Sequence, residues 1–415
     1  MTDVRVAEQV RPGRPGGRGT GGRELAPLVP LAVVTGISPL ATDLYIPGLP
    51  ELAADLQTTP AVAQLTLTAF LVAFAAGQLL LGPLSDAVGR RRLVLVGALG
   101  FVVASVLCAL APNAPVLIVA RLLQGLAGAA GSVAGRAMVT DVLVDVRRAR
   151  VIAALSSINA VAPVVAPLVG GALLGVGTWR LSFWLLAAVG LVLAVTVLVS
   201  FPETLPVERR SAGAGLGASA RRMGSLLRIP RFTLYLATSC VGTVGFFAYI
   251  ATSSFVFQTW YGYSSSRYTL VFATNASCMI ISTLIFGRVV GRVSEDRLLT
   301  VGLLVATAGS AGVLTAALLH APGGLVWAFL AVVTGAQGLV ITGSATRTQA
   351  LGQSSPGTAA ALQGGLAFGV GGLGTPLAGL LGGTPTAMGG VMLAGLGAGL
   401  LLQTVGARWL ARRTV

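Results

Sequence analysis

The stretch that decides how this chain folds is Gly36-Ile37-Ser38-Pro39-Leu40-Ala41-Thr42-Asp43-Leu44-Tyr45-Ile46-Pro47-Gly48-Leu49-Pro50. It closes an apolar run that starts near Ala26, and about twenty such residues in a helix are long enough to cross a bilayer. Asp43 therefore falls inside a membrane span. A carboxylate there is costly, faces a bundle interior or a wet cavity, and marks a route for an ion or a solute.

Outward from that stretch, the composition sets the class. With 54% hydrophobic residues, only 10% charged residues and a mean hydropathy of +0.86, the chain has too little polar surface for a soluble protein and reads as a polytopic membrane protein. A formal net charge of +15 would point to nucleic acid in a soluble chain. Here the arginines fall in short gaps between apolar runs, which is a topology signal, and no nucleic-acid partner is expected. All 28 basic residues are Arg; a Walker A loop requires Lys, so no nucleotide-hydrolysing site of that kind exists here. The 56 glycines fit closely packed membrane helices. Cys108, Cys240 and Cys278 lie within apolar runs and support neither a disulfide framework nor a metal site. No cofactor and no enzymatic activity are expected.

Hydropathy predicts twelve spans, at roughly 26–47, 61–83, 93–111, 115–139, 151–176, 181–201, 232–257, 268–290, 298–319, 325–346, 358–381 and 386–406. Residues 1–25, rich in Arg, Gly and Pro, are expected to be a disordered cytoplasmic tail. The first run is too long for a signal-peptide core and is kept as a mature span. With the N-terminus inside, nearly all loop arginines become cytoplasmic and only Arg180 and Arg267 fall outside, so both termini are expected in the cytoplasm. A six-helix bundle over 26–201 is followed by a polar cytoplasmic linker over 202–231, a second bundle over 232–406 and a tail at 407–415. A shift of 205 residues places Arg92 on Arg297, Leu93 on Leu298 and Gly97 on Gly302, as a duplicated six-span unit requires.

Three motifs carry a family likeness. Gly82-Pro83-Leu84-Ser85-Asp86-Ala87-Val88-Gly89-Arg90-Arg91-Arg92 resembles the loop signature of the major facilitator superfamily. Arg121-Leu122-Leu123-Gln124-Gly125 follows in the fourth span, and Ala162 with Ala166-Pro167-Leu168-Val169-Gly170-Gly171 in the fifth resembles the antiporter signature, with alanines at two positions where glycine is usual. Ser38-Pro39 through Pro50, Trp179-Arg180, Pro202-Glu203-Thr204-Leu205 and Phe246-Phe247-Ala248-Tyr249-Ile250 resemble the Bcr/CflA drug-resistance branch. The resemblance implies an all-α membrane protein with the major facilitator fold, twelve transmembrane helices in two pseudo-symmetric six-helix bundles. It further implies a monomeric antiporter in a bacterial inner membrane, driven by the proton gradient and exporting chloramphenicol-like or bicyclomycin-like antibiotics.

Each motif has a physical task. Asp86 ends span two, where a helix C-terminus is already partly negative, so it needs a positive partner. The start of span eleven near Thr358 is on the same side, which gives a lock between the halves with Arg90 assisting; a solvated turn is the plainer alternative. The second-half counterpart of Asp86 is Gly291, so this lock is expected to be one-sided. Arg121, Gln124 and Gly125 share one helix face, and Pro163 and Pro167, with Gly170 and Gly171, favour a bending helix. Packing without gating is the alternative there.

Counting 1.5 Å per residue puts Asp43 and Arg121 in the outer half of the membrane within about one or two turns of each other, so the two can pair. Of the 13 acidic residues, all but Asp43 fall in tails, loops or span ends. If protons are coupled to transport, Asp43 is the carrier; burial favours its neutral form and a nearby guanidinium its charged form. Tyr45, Gln64, Phe74, Gln78, Phe246, Tyr249, Phe257, Asn275, Gln337 and Gln363 are the candidate cavity wall, aromatic area with scattered amides for an amphiphilic solute. No second buried acid favours dications. A transporter of an endogenous metabolite, in either direction, and a non-transporting receptor are the rival readings. A receptor is expected to carry an added signalling domain, and the short stretch after Arg408 argues against one.

Overall fold

The computed structural model describes residues 37–142, 161–200, 203–205 and 216–413. Residues 37–43 form α1, the end of span one, and Leu49–Asp55 form the short α2. Then come α3 (Pro60–Val88), α4 (Arg90–Ala109), α5 (Ala114–Val142), α6 (Val161–Leu174), α7 (Arg180–Ser200) and α8 (Leu216–Leu227). The remainder is α9 (Pro230–Phe255), α10 (Ser265–Val289), α11 (Glu295–Leu318), α12 (Gly323–Leu351), α13 (Pro356–Leu380) and α14 (Pro385–Arg413). Among the described residues nine helices are long and apolar enough to cross a membrane.

Local chemistry sets the helix ends. Thr59 caps α3 by accepting from the Val62 N–H at 3.3 Å and Ser264 caps α10 by accepting from the Arg267 N–H at 3.2 Å. Pro60, Pro230, Pro356 and Pro385 open their helices, where the missing N–H costs nothing. Gly89, with φ of 106°, turns the chain between α3 and α4, and Gly291, with φ of 93°, does so between α10 and α11. Both adopt a backbone region that suits glycine. Gly291 thus turns its chain as Gly89 does, while by the 205-residue shift it stands opposite Asp86. The starts of α3 and α10 and of α4 and α11 obey the 205-residue shift, while α5 and α12 begin 209 residues apart, at Ala114 and Gly323. The packing is preserved, since a Cβ at Gly97 would lie 2.9 Å from the Ala127 carbonyl oxygen of α5, and one at Gly302 would lie 3.2 Å from that of Ala336 on α12.

Helices α3, α4, α5 and α7 pack together, as do α9 to α14, and the two groups meet along α3 and α13. Helix α13 is not among the nine apolar helices. It is packed against both α3 and α9, so small residues that admit two neighbours replace the bulky apolar ones that a lipid-facing helix carries. The expected spans 26–47 and 151–176 lie largely outside the described residues, as does the expected tail at 1–25. Two elements differ from the expectation. Helix α2 follows span one directly, and the linker over 202–231, expected as a simple tether, contains α8.

Candidate functional site

The hydrogen bonds that join the two groups gather at the end of the molecule that carries Trp179. Gln64 Nε2 donates to the Ala251 carbonyl at 3.3 Å and to Thr252 Oγ1 at 3.2 Å, and Gln258 Nε2 donates to the Pro47 carbonyl at 2.9 Å. The Thr68 and Thr375 hydroxyls bond across the same seam. Near the end of α9 the helix widens into a π turn at Val256–Trp260, which carries Gln258 toward Pro47.

Asp43 is the last residue of α1 and is 6% exposed. The antiporter-like glycines explain how its backbone enters the bundle. A Cβ at Gly170 would sit 1.8 Å from the Leu44 carbonyl oxygen, and one at Gly171 would sit 2.3 Å from Thr269 Oγ1 of α10. Helix α6 is therefore thin on the faces where α1 and the other group press against it, and no side chain larger than hydrogen fits.

The expected pairing of Asp43 with Arg121 is not formed. Arg121, fully buried on α5, donates through Nε to the Thr66 carbonyl at 3.2 Å and through Nη1 to the Ala41 carbonyl at 3.1 Å and Gln124 Oε1 at 2.6 Å. Its guanidinium carbon lies 4.6 Å from the Tyr45 ring centre and 4.4 Å from that of Phe70. The reason is the end of α1: terminal helix carbonyls lack intrahelical partners and carry partial negative charge, so they attract a cation without any carboxylate. Gln124 is the arginine's side-chain acceptor and passes its own donor to Ser105 Oγ at 2.8 Å. Gly125 admits the Phe70 backbone, whose carbonyl oxygen would be 2.3 Å from a Cβ there.

Asp43 instead lies within electrostatic reach of two phenols from the second group, Tyr249 on α9 and Tyr268 on α10. Tyr249 Oη accepts from Asn275 Nδ2 at 3.1 Å, and Tyr268 Oη bonds Ser253 Oγ at 2.9 Å. Since Asn275 supplies the donor, the Tyr249 hydrogen remains for another acceptor. Four buried amide oxygens of the second group, Asn275 Oδ1, Gln337 Oε1, Gln363 Oε1 and Gln403 Oε1, have no partner.

The ten candidate wall residues are all buried or half-buried, but they divide by task. Phe74, Phe246 and Tyr249 belong to one aromatic chain that runs Phe70, Phe74, Phe368, Phe247, Phe246, Tyr249, Phe272, with successive ring centres 5.8 to 6.1 Å apart. Asn275 hangs from its Tyr249 end, while Gln363 donates to Ser239 Oγ at 2.8 Å and Gln78 faces Gly364. Tyr45, Gln64 and Phe257 are taken up elsewhere. Tyr45 bonds Thr66 and cages Arg121, Gln64 closes the seam, and Phe257 packs on Tyr261 and Tyr263.

At the opposite end, Arg90 Nε pairs with Asp141 Oδ2 at 3.1 Å and Nη1 donates to Ser85 Oγ. Asp86 lies in the last turn of α3 close to Gly82, and the lock expected of its carboxylate falls outside the described side chains. Pro163 and Pro167 sit within the unbroken helix α6. Sequence reading missed Tyr268, which stands at the edge of its expected span where interfacial aromatics are common. It also missed Phe70, Phe272 and Phe368, which carry no motif, and Glu203, which it placed in the linker.

The profile of the Major Facilitator Superfamily matches residues 31–379. Over 379 residues, 90% of this chain and 93% of the relative, the chain is 37% identical to the uncharacterized MFS-type transporter YdgK of Bacillus subtilis. It is 27% identical to a bicyclomycin resistance protein homolog of Haemophilus influenzae over 67% of this chain and 70% of that one. A chloramphenicol resistance protein of Pseudomonas aeruginosa is 34% identical over 66% of this chain and 64% of its own. The fold superposes on the crystal structure of a bacterial homolog of the human lysosomal transporter Spinster with a TM-score of 0.72 at 17% identity, covering 95% of this chain and 98% of that one. The chain thus belongs to the major facilitator superfamily and is a multi-pass membrane transporter of small molecules, not an enzyme.

Proposed function

We propose that this transporter is a proton-coupled antiporter of the Bcr/CflA type, exporting neutral or weakly charged amphiphilic drugs of the chloramphenicol or bicyclomycin class from a bacterial cytoplasm. One observation carries the reading: Asp43 is a buried acid that has no basic partner among the described residues, with the phenols of Tyr249 and Tyr268 of the opposite helix group within its electrostatic reach. A charge so placed is costly at the seam. Protonation from outside neutralises it and lets the groups close over it, and drug entering beside Tyr249 and Asn275 favours release of the proton inward. Arg121 does not exchange partners in this cycle; it pins the end of α1 and so fixes where Asp43 stands. The arginine bias favours a cytoplasmic position for both termini and the Arg90 end, so the Trp179 end, where hydrogen bonds join the two groups, is taken as the outer gate. One charge moving across 100 mV supplies about 2.3 kcal/mol, enough for more than about tenfold accumulation. The protein acts as a monomer, with the pathway between its two halves.

The test uses everted vesicles loaded with a pH dye and a panel of antibiotics. Wild type is expected to release protons when drug is added, and Asp43→Asn is expected to bind drug without releasing any. Drug-induced release that survives the substitution would sink the mechanism.

A further inference from the structure

Helix α8 has a face that the transport pathway does not use. Leu226 is 1% exposed and packs with Phe232, Leu236 and Leu362, with Met223 and, from the first helix group, Leu79 against the same cluster. One side of α8 is thereby bound to α9, α13 and α3 at once. The rest of the helix is open. Arg221 and Arg222 are exposed, as are Arg228 and Arg231 in the turn that leads into α9. Among the described residues the ion-paired arginines are Arg90, Arg180 and Arg347, and none of these four has an acid within reach. Leu227, 40% exposed, stands on the same helix.

The position matters as much as the charge. Helix α8 lies against the starts of α9 and α13, where membrane helices leave the hydrocarbon and meet the headgroup layer. A helix at that level with one packed face, an exposed leucine and unpaired arginines has the makeup of an interfacial helix. Guanidinium groups bind phosphate in a bidentate fork, and each cationic side chain near an anionic leaflet adds attraction.

We infer that α8 is a membrane-surface brace whose Arg221 and Arg222, with Arg228 in the turn that follows, hold the phosphate headgroups of anionic phospholipids. The exposed Leu227 seats the helix in the acyl boundary. Because the packed face touches both helix groups, the lipid is bound to the element that bridges them. The inference does not depend on proton coupling or on the drug.

The experiment is native mass spectrometry of the full chain in neutral detergent, titrated with phosphatidylglycerol, with phosphatidylcholine and with inorganic phosphate. Wild type is expected to retain phosphatidylglycerol in preference to phosphatidylcholine. The triple variant Arg221→Gln/Arg222→Gln/Arg228→Gln is expected to weaken that retention at least tenfold, whereas Arg288→Gln/Arg292→Gln/Arg297→Gln, which removes equal charge from the same end, leaves it within threefold. Equal loss in the two triples overturns the site, since bulk charge then explains it. Displacement of the lipid by millimolar inorganic phosphate also overturns it, in favour of a free anion. Should the first triple not fold, Leu227→Gln, which keeps every charge, is expected to lower retention severalfold; unchanged retention counts against the brace.

Discussion

Arg90 opens α4 and Glu295 opens α11, equivalent helices of the two groups, and each is held by the opposite charge near the end of a neighbour. Arg90 pairs with Asp141 on α5. On α12, Arg347 pairs with Glu295 at 3.4 Å and Asp296 at 2.9 Å, and Tyr235 Oη donates to Asp296 at 2.7 Å. Each group thus has a clasp of its own, with the polarity reversed between them; the lock expected of Asp86 is a different contact, between the groups, and lies outside the described side chains. Reversal is not symmetric in cost. Acids in the first turn of α11 suit the positive end of the helix, whereas Arg90, Arg91 and Arg92 in the first turn of α4 do not. Glu203 offsets this by accepting from the N–H groups of Arg90 at 3.0 Å and Arg91 at 3.5 Å. The Pro202-Glu203-Thr204-Leu205 motif therefore contributes a helix cap to the first group that the second group builds from its own α11 residues.

The interior separates the groups further and gives the largest expected effect. In the first group the buried amide of Gln124 is fully engaged by Arg121 and Ser105, while in the second the Gln337 oxygen is buried without a partner. Gln124→Leu removes the one side-chain acceptor of a buried guanidinium and the donor to Ser105 Oγ, and is expected to cost about 2 kcal/mol, with loss of efflux. Gln337→Leu removes an unsatisfied acceptor and is expected to change stability by less than about 0.5 kcal/mol, altering drug preference instead. Thermal unfolding in detergent alongside efflux assays checks both. Equal destabilisation by the two substitutions would erase the contrast.

The clasp itself comes next. Arg90→Glu sets an acid against Asp141 and beneath Glu203, and is expected to cost about 1 kcal/mol. Adding Asp141→Arg copies the polarity of the second group and should recover part of that loss, with Glu203→Gln recovering more. A double-mutant cycle of melting midpoints measures the coupling. No recovery would mean that the two clasps are not equivalent in their mechanics.

How much of this is legible in the sequence follows from the kind of signal each residue leaves. The ten expected spans within the described residues match helices because apolar runs of that length leave few alternatives. Asp43, Arg121 and Gln124 stood out because polar groups are rare at that depth. Their partners did not. A carbonyl such as that of Ala41 has no sequence signature, so a reading that sees only side chains gave the arginine to the carboxylate. The reversed clasp hid for a related reason: comparing the halves by identical residues cannot find Arg90 opposite Glu295. The aromatic chain depends on which face of α13 presents Phe368 to Phe74, a matter of helix rotation that neither composition nor hydropathy fixes. Helix α8 was lost in a segment whose arginines outweighed its short apolar face.

The Trp179 end extends the comparison with the smallest expected effect. There Arg180 stacks on Trp179 at 4.3 Å and bonds Asp55, which also accepts from Trp179 Nε1 at 3.1 Å, while Glu51 accepts from the Trp179 N–H at 3.4 Å. Among the described residues the second group answers with a cation over an aromatic ring, Arg267 at 3.8 Å from Tyr263, and no ion pair at this end. The hydrogen bond from Arg180 holds Asp55 below its ordinary value. Its contribution is full above the ordinary aspartate value of about 3.9 and is lost as pH falls through the lowered one. Burial lifts Glu51 above its ordinary value. The folded chain therefore takes up that proton before the unfolded chain does, and stability rises slightly as pH falls through the lifted value toward about 4.3. Melting midpoints between about pH 7 and pH 3 should show a shallow rise followed by a fall. Glu51→Gln is expected to flatten the rise, Asp55→Asn to soften the fall, and Arg267→Gln to leave the profile's shape unchanged. A fall undiminished in Asp55→Asn would show that Arg180 stabilises this end through Trp179 alone, as Arg267 does through Tyr263, and the two groups would then differ less here than their charges imply.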